Sequence, residues 1–349
     1  MTKTHPDNAF DLLRLLLAMS VILAHSMLIG GYGNFDFLSS ITKGQTNFAD
    51  FGILGFFGLS GYLITSSFNN SKSIYSFIAH RIIRIFPAYW VCLIITAFCI
   101  APAISIIKGF SLNEFNFFKE QGSTHYIFNN FFLKINQWSI NNLLDGAYYN
   151  GSLNGSLWSL FPELVCYILV VFLGVTGIFK NNKWVLLMIG AYLLIIYALN
   201  DIFDIKYGPT ILILTPNLKL FCAFICGSII YTYREILFKD VKSKIAFYVL
   251  SMLLLKFGGF GIIAPFSLTF CLIAAFSLFS FKLKYDISYG MYIYSFPVQQ
   301  LVSAYCKQTI SFIPFTIICV GSTVILAMLS CILVEKPAAV LRKRLDTYL

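Results

Sequence analysis

Long apolar runs alternate along the chain with short polar segments that carry Lys and Arg. A helix that crosses a bilayer needs about 20 predominantly apolar residues. Runs of that kind occupy 10–29, 50–68, 86–107, 156–178, 184–200, 212–233, 245–257, 261–281, 287–304 and 312–333. The pattern predicts an all-α, polytopic transmembrane bundle of about ten helices. The run at 245–257 is short, and Gly258, Gly259 and Gly261 separate it from the next. Those two runs read as a hairpin with a tight turn, or as one helix and a re-entrant piece. Residues 1–349 read as a single membrane-embedded domain with a C-terminal tail at about 335–349.

Loop charge gives the orientation. With a cytoplasmic N-terminus, Lys72, Arg81, Arg84, Lys180, Lys183, Arg234, Lys239, Lys242, Lys244, Lys282, Lys284, Lys336 and Arg342 all fall on the cytoplasmic side. The other side holds fewer cations, among them Lys43, Lys108, Lys119 and Lys134, offset by Asp36 and Glu120. Cytoplasmic loops are enriched in Lys and Arg, so both termini are expected in the cytoplasm. Asp11 and Arg14 enter the first run and no small-residue cleavage site follows it, so it reads as a retained helix. The longest connection, at about 108–155, is expected outside. It is rich in Asn, Phe and Tyr, holds His125, and at that length reads as a lid or a binding element.

Composition removes the other classes. Of 349 residues 58% are hydrophobic and only 11% charged, and the mean hydropathy is +0.79. A soluble domain carries about 25% charged residues. The net charge of +10 is explained by cytoplasmic loops, and no nucleic-acid partner is expected. Most of the nine cysteines sit inside apolar runs, where they act as small hydrophobes. Cys222 and Cys226 have no His or carboxylate nearby in sequence, and no metal site is expected.

Charges at membrane depth cost several kcal/mol, so each is a candidate site. In FDLLRLLLAMSVILAHS, Arg14 and His25 are eleven residues apart, within about 20° of three full helical turns and roughly 16 Å along the axis. One stripe therefore carries a cation low down and an imidazole higher up. The plainer readings are a snorkelling anchor for Arg14 and a packing hydrogen bond for His25. The sharper one is a general base at His25, since an imidazole titrates near neutrality.

Arg81 and Arg84 lie three apart in HRIIRIFPAYW, where they suit phosphate or lipid head groups equally well. Ser60, Gly61 and Tyr62 form a small-residue patch that fits helix packing as well as a site. In NGSLWSLFPE, Glu163 lies one turn inside an apolar run and needs a partner there. It reads as an acceptor for a substrate hydroxyl or as a group orienting His25. Trp158 fits an interfacial belt or a substrate wall, and Asn154 and Ser156 stand at the same level. Tyr289, Tyr292 and Tyr294 bring hydroxyls into the run that Pro297 should kink.

These stretches, FDLLRLLLAMSVILAH, FFGLSGYLI, HRIIRIFPAYW, NGSLWSLFPE, DISYGMYIYSFPVQQ and EKPAAVLRKRL, resemble the acyltransferase-3 family of integral membrane acyltransferases, in family order and across nearly the whole chain. The resemblance implies transfer of an acyl group, most often acetyl from acetyl-CoA. The implied acceptor is a hydroxyl of a surface or secreted carbohydrate such as O-antigen, capsule or exopolysaccharide. It implies catalytic roles for Arg14, His25 and Glu163. Arg81 and Arg84, with Arg14, would hold the acyl-CoA. Trp158, Asn154, Ser156, Tyr62, Tyr289 and Tyr292 would face substrate. A bacterial inner membrane is the implied location, without an appended SGNH-type esterase domain, and self-association is left open. Many members have a His where this chain has Ser295, which puts a second histidine's role in doubt. The competing function is a transporter or exporter of a glycan or acylated precursor, because buried Arg, His and Glu also build proton-coupled carriers.

Overall fold

The computed structural model describes residues 9–34, 36–113, 115–203 and 217–345. The start of the run at 212–233 and the end of the tail at 335–349 lie outside the described residues. Within them the chain is helical, with no β-strand. In order the helices are α1 (Phe10–Ile29), α2 (Phe37–Ile41), α3 (Phe48–Asn70), α4 (Ile74–Ile95), α5 (Ala101–Ile107), α6 (Ser123–Asn129), α7 (Leu160–Val175), α8 (Lys183–Phe203), α9 (Leu218–Thr232), α10 (Arg234–Leu237), α11 (Val241–Phe257), α12 (Phe260–Phe276), α13 (Ser288–Cys306), α14 (Phe312–Ser330) and α15 (Lys336–Leu345). Every apolar run read from the sequence contains a helix where described, although the run at 156–178 is helical only to Val175 and the run at 261–281 only to Phe276.

Six continuous helical stretches among the described residues are long and apolar enough to cross a bilayer: Phe10–Ile29, Phe48–Asn70, Ile74–Ile107, Gly155–Val175, Lys183–Asn200 and Phe312–Arg342. α9 and α12 are apolar but shorter. α8 exposes Trp184, Met188, Tyr192 and Ile195, and α14 exposes Ile313, Ile317 and Ile325. Apolar faces of that extent belong against lipid, and the chain is a membrane protein. The third stretch begins at Ile74, well before the apolar run at 86. His80, Arg81 and Arg84 depress the hydropathy of its first turns although Phe77 and Ile85 keep a buried face.

Prolines shape these helices in two ways, because each removes one N–H from the ladder. Where Pro102 follows α4, the helix widens by one residue and the N–H of Ala101 reaches back to the carbonyl of Thr96. Pro337 follows the same widening, with the N–H of Lys336 on the carbonyl of Cys331. Such π-turns accommodate a missing donor without ending the helix. Inside α12, Pro265 leaves the carbonyl of Gly261 without its usual partner, and the hydroxyl of Tyr197 donates to it at 3.1 Å.

The described chain groups into two compact units. Unit 1 is drawn from Met1–Leu17, Phe37–Phe77 and Pro162–Leu283, and unit 2 from Ala18–Asp36, Ile78–Phe161 and Lys284–Leu349. In unit 1, Leu13, Leu17, Tyr62, Ile230, Phe270 and Ile273 form a buried core. The backbones of α3 and α9 approach so closely that a Cβ on Gly61 would overlap the carbonyl of Phe224, and one on Gly227 the carbonyl of Gly58. Thr65 and Ser228 hydrogen-bond across the same seam at 2.9 Å. This is small-residue packing of the kind that joins helices in lipid, and it accounts for Gly61 in the Ser60–Tyr62 patch. α11 and α12 form a helical hairpin turned by Gly258 (φ 113°) and Gly259 (φ 91°), both in the region glycine favours. Gln45 clamps that turn, donating to the carbonyl of Leu255 and accepting from the N–H of Phe260.

In unit 2 the long connection after α5 is held down. Trp90 donates to the carbonyl of Phe131 at 3.1 Å and stacks on its ring. Tyr89 donates to the carbonyl of Asn130, and Ser123 to that of Ala97. Lys108 Nζ donates to the carbonyls of Leu143 and Asp145, both at 2.7 Å. Burial lowers the pKa of that ammonium. Tyr126 and Asn130 are buried within the connection, whereas His125 is exposed. The segment is a packed cap.

Candidate active site

His25 lies on the part of α1 that belongs to unit 2, and α13 organises its surroundings. Phe296, Gln299, Gln300 and Ser303 recur at helical spacing and share one face of α13. Towards α1, Gln299 Nε2 donates to the carbonyl of Ile22 and to Ser26 Oγ, each at 2.8 Å. Ser303 Oγ donates to the carbonyl of Ile29 at 2.8 Å. The ring of Phe296 meets the imidazole of His25 edge to face.

Residues 149–159 run along the same helix. Gln300 Nε2 donates to the carbonyls of Tyr149 (3.0 Å) and Ser152 (2.8 Å), and Ser159 Oγ shares a 2.7 Å hydrogen bond with the hydroxyl of Tyr292. The side chain of Asn154 has a structural reason to be here. Pro297 removes the N–H that would bond the carbonyl of Ile293, and Asn154 Nδ2 donates to that carbonyl at 2.9 Å, joined by Cys92 Sγ at 3.3 Å. Gly155 is required by a close approach, since a Cβ there would stand 2.6 Å from Phe296 Cε2 and 2.7 Å from Ser152 Oγ.

Several buried polar atoms of unit 2 have no protein partner, among them His25 Nδ1, Ser152 Oγ, Asn154 Oδ1, Ser156 Oγ and Gln299 Oε1. Buried polar groups are almost always paired, and leaving one unpaired costs about 1–3 kcal/mol. The amide oxygens accept and the serine hydroxyls do either, so the set suits a ligand that brings hydroxyl groups.

Unit 2 thus brings His25 and Asn154 to α13, with Ser156 buried on the turn between Gly155 and Ser159, while Tyr292 turns its hydroxyl to Ser159. The hydroxyl of Tyr289 donates to the carbonyl of Ile85 at 3.0 Å. Trp158 is partly exposed on the short turn Gly155–Ser159 that leads into α7. Arg81 is partly buried on α4 and Arg84 exposed, with Arg84 Nη2 3.9 Å from Asp286 Oδ2. Ser295 is buried, its hydroxyl donating to the carbonyl of Tyr292.

The remaining sequence candidates belong to unit 1. Arg14 pairs with Asp11, one turn earlier on α1, at 2.9 Å. Glu163 stands in the first turn of α7, where a carboxylate complements the helix dipole. Its Oε1 accepts from Ser60 Oγ at 3.2 Å and from the hydroxyl of Tyr167. Tyr62 is buried edge-on against Phe10 and Tyr231.

Reading from sequence overlooked Phe296, Gln299, Ser152 and Gly155. The pair Gln299–Gln300 carried a signal, because two amides inside an apolar run need partners. Gly155 and Ser152 carried none, since their importance lies in what packs on them.

The family described as "Acyltransferase domain" matches residues 7–332. The chain is 30% identical over 350 aligned residues to a protein of Shigella phage Sf6 named an O-acetyl transferase, covering 95% of this chain and 96% of that one. A local match, 37% identical over 91 residues, covers 24% of this chain and 22% of Nodulation protein 10 of Rhizobium leguminosarum bv. viciae. No solved structure matches. A family match over nearly the whole chain and a full-length relative carry one conclusion: the chain belongs to the acyltransferase-3 family of membrane acyltransferases, and it is an acyltransferase.

Proposed function

We propose that the protein transfers an acetyl group from acetyl-CoA to a hydroxyl of a surface or secreted carbohydrate, with His25 as general base. The observation that carries the reading is the enclosed Nδ1 of His25, which has no protein partner, together with four further protein-unpaired oxygens, on Ser152, Asn154, Ser156 and Gln299, in the same unit. In the step, His25 accepts the proton of the acceptor hydroxyl as its oxygen attacks the thioester carbonyl. The C–S bond breaks, and the proton passes to the coenzyme A sulfur. If instead the imidazole takes the acyl group first, the kinetics are ping-pong. Asn154, Ser156, Trp158, Tyr62, Tyr289 and Tyr292 would be the residues that recognise the acceptor. Arg81 and Arg84, with Arg14, would meet the phosphates of acyl-CoA through charge-assisted hydrogen bonds. Glu163 would complete the catalytic set. The donor and acceptor classes are supported by the family and by the name of the phage relative.

In this reading one membrane-embedded domain of about ten crossings sits in a bacterial inner membrane with both termini cytoplasmic, as the loop charges favour. The test is radiolabelled acetyl-CoA supplied to membranes containing the protein or its His25→Ala variant at equal levels. Label should appear in surface polysaccharide with the wild type and be absent with the variant. Transfer retained by His25→Ala rejects the catalytic role. A carrier would move substrate with no release of free coenzyme A.

A further inference from the structure

We propose that Gln299 is a positioning residue that sets where His25 stands in the active site. The inference rests on the reading of His25 as the reacting base and adds a residue that this reading does not use. The amide of Gln299 is fully buried, and its single nitrogen spans two acceptors on the helical turn that contains His25: the carbonyl of Ile22 and the hydroxyl of Ser26. Its orientation is chemically determined. A carbonyl such as that of Ile22 can only accept, so the nitrogen and not the oxygen must face it.

The bond is worth more than its energy because of where it acts. Helices in lipid lack a hydrophobic force that selects one register, and apolar faces can slide or rotate with small losses. One residue of slip moves a helix about 1.5 Å along its axis and turns it by about 100°. Either motion separates the amide from at least one acceptor. With α1 held in this way, the imidazole of His25 is directed onto the ring of Phe296, one turn before Gln299 on the same α13 face. Phe296 itself packs closely on the glycine at 155. Gln299 therefore translates the position of α13 into the position of His25, and Gln300 ties residues 149 and 152 to the same turn. The adjacent amides align base and neighbouring segment from one helix.

A built-in comparison separates positioning from plain helix adhesion. Ser303 makes a bond of the same length between the same two helices, one turn farther from His25. The experiment uses the full-length protein in lipid nanodiscs, with radiolabelled acetyl-CoA as donor and chemically O-deacetylated surface polysaccharide of the native host as acceptor. Gln299→Met keeps the length and removes both hydrogen bonds. It should lower kcat by roughly tenfold to a hundredfold, the loss expected for misplacing a reacting group by about 1 Å. KM for acetyl-CoA should stay within about twofold, since the donor's phosphates are held elsewhere. Ser303→Ala should keep kcat within about twofold. Should Gln299→Met not accumulate, Ser26→Ala, which leaves Gln299 in place and removes one acceptor, should still lower kcat with KM unchanged. A double variant, where it folds, should be no slower than Gln299→Met alone. Equal loss in Gln299→Met and Ser303→Ala, or an unchanged kcat in Gln299→Met or Ser26→Ala, overturns the proposal. His25→Ala in the same preparation separates the two levels. If it is inactive while Gln299→Met is fully active, the base assignment survives and the positioning role does not; if it is active, the base assignment itself fails.

Discussion

The imidazole of His25 and the ring of Phe296 meet edge to face, with centroids 4.9 Å apart and planes at 69°. The same Phe296 ring also lies close to Gly155, and Tyr149 packs against it at 5.7 Å. One phenyl ring is thus the mechanical link between the helix that carries the histidine and the segment that carries Ser152, Asn154 and Ser156. Such aromatic pairs contribute about 0.5–1.5 kcal/mol beyond their buried area and restrict the angle between the rings.

Gly155→Ala should disturb that link. The added methyl would stand 2.6 Å from Phe296, a ring that also contacts His25 and Tyr149, so its displacement disturbs those contacts. Overpacking of this kind costs about 1–3 kcal/mol. Transfer of labelled acetyl should fall at least tenfold, and the melting temperature in detergent should drop. Phe296→Leu in the same chain relieves the overlap and should recover the melting temperature without recovering the rate.

Gly61→Ala acts on the fold alone. Its methyl would meet the backbone carbonyl of Phe224, which unlike a side chain cannot rotate aside. α3 and α9 must separate, and the seam that includes Thr65 and Ser228 opens with them. A loss of at least about 2 kcal/mol is expected, seen as reduced accumulation in membranes and a lower melting temperature, with no change in KM in whatever fraction folds.

Asn130 should prove the keystone of the cap. Its Oδ1 accepts from the N–H groups of Asn136 and Gln137, and its Nδ2 donates to the carbonyl of Gln137, all in a fully buried position. Asn130→Ala leaves these three backbone groups without that partner, at about 1–3 kcal/mol each before relaxation. Limited proteolysis should cut within 115–145 in the variant and spare the wild type.

Alkali should loosen the same cap through Tyr126. Burial raises this phenol's pKa well above its usual 10.0. The folded value exceeds the unfolded one, so the contribution to stability is complete below pH 10 and is lost as pH rises above it. Wild type should lose melting temperature above pH 10 more steeply than Tyr126→Phe, which has no phenol to ionise. Parallel curves for the two proteins reject the assignment.

Glu163→Gln retains an oxygen able to accept from Ser60 and Tyr167, as Oε1 does now. Stability should stay within about 0.5 kcal/mol. If the carboxylate's charge serves the reaction, transfer falls while the melting temperature holds, and unchanged transfer leaves Glu163 a packing acceptor.

What could be read from the chain followed its periodicities. Apolar runs located every helix that is described there, because a bilayer forces backbone polar groups to pair within the helix and marks each span by length alone. The start of α4 escaped that reading because His80, Arg81 and Arg84 interrupt the apolar run without interrupting the helix. The two alternatives for 245–281 were resolved by Gly258 and Gly259, whose positive φ values turn the chain between α11 and α12. His25 was legible as an ionisable group at membrane depth. Gln299, 274 residues away and bonded to the turn that carries His25, sits in an apolar motif that does not reveal its role, because a polar residue's partner is not written beside it.

The sequence alone determined the class of molecule, the long apolar helices and the family, since these rest on local composition, length and motif order. Tertiary structure decided which polar groups meet. It placed Asn154 on the carbonyl that Pro297 leaves without a donor, the Phe296 ring against both Gly155 and His25, and the Gln299 amide on the turn that carries the histidine. These are pairings between residues more than a hundred positions apart, and only the packing of helices brings such residues within the 3 Å or so over which hydrogen bonds act.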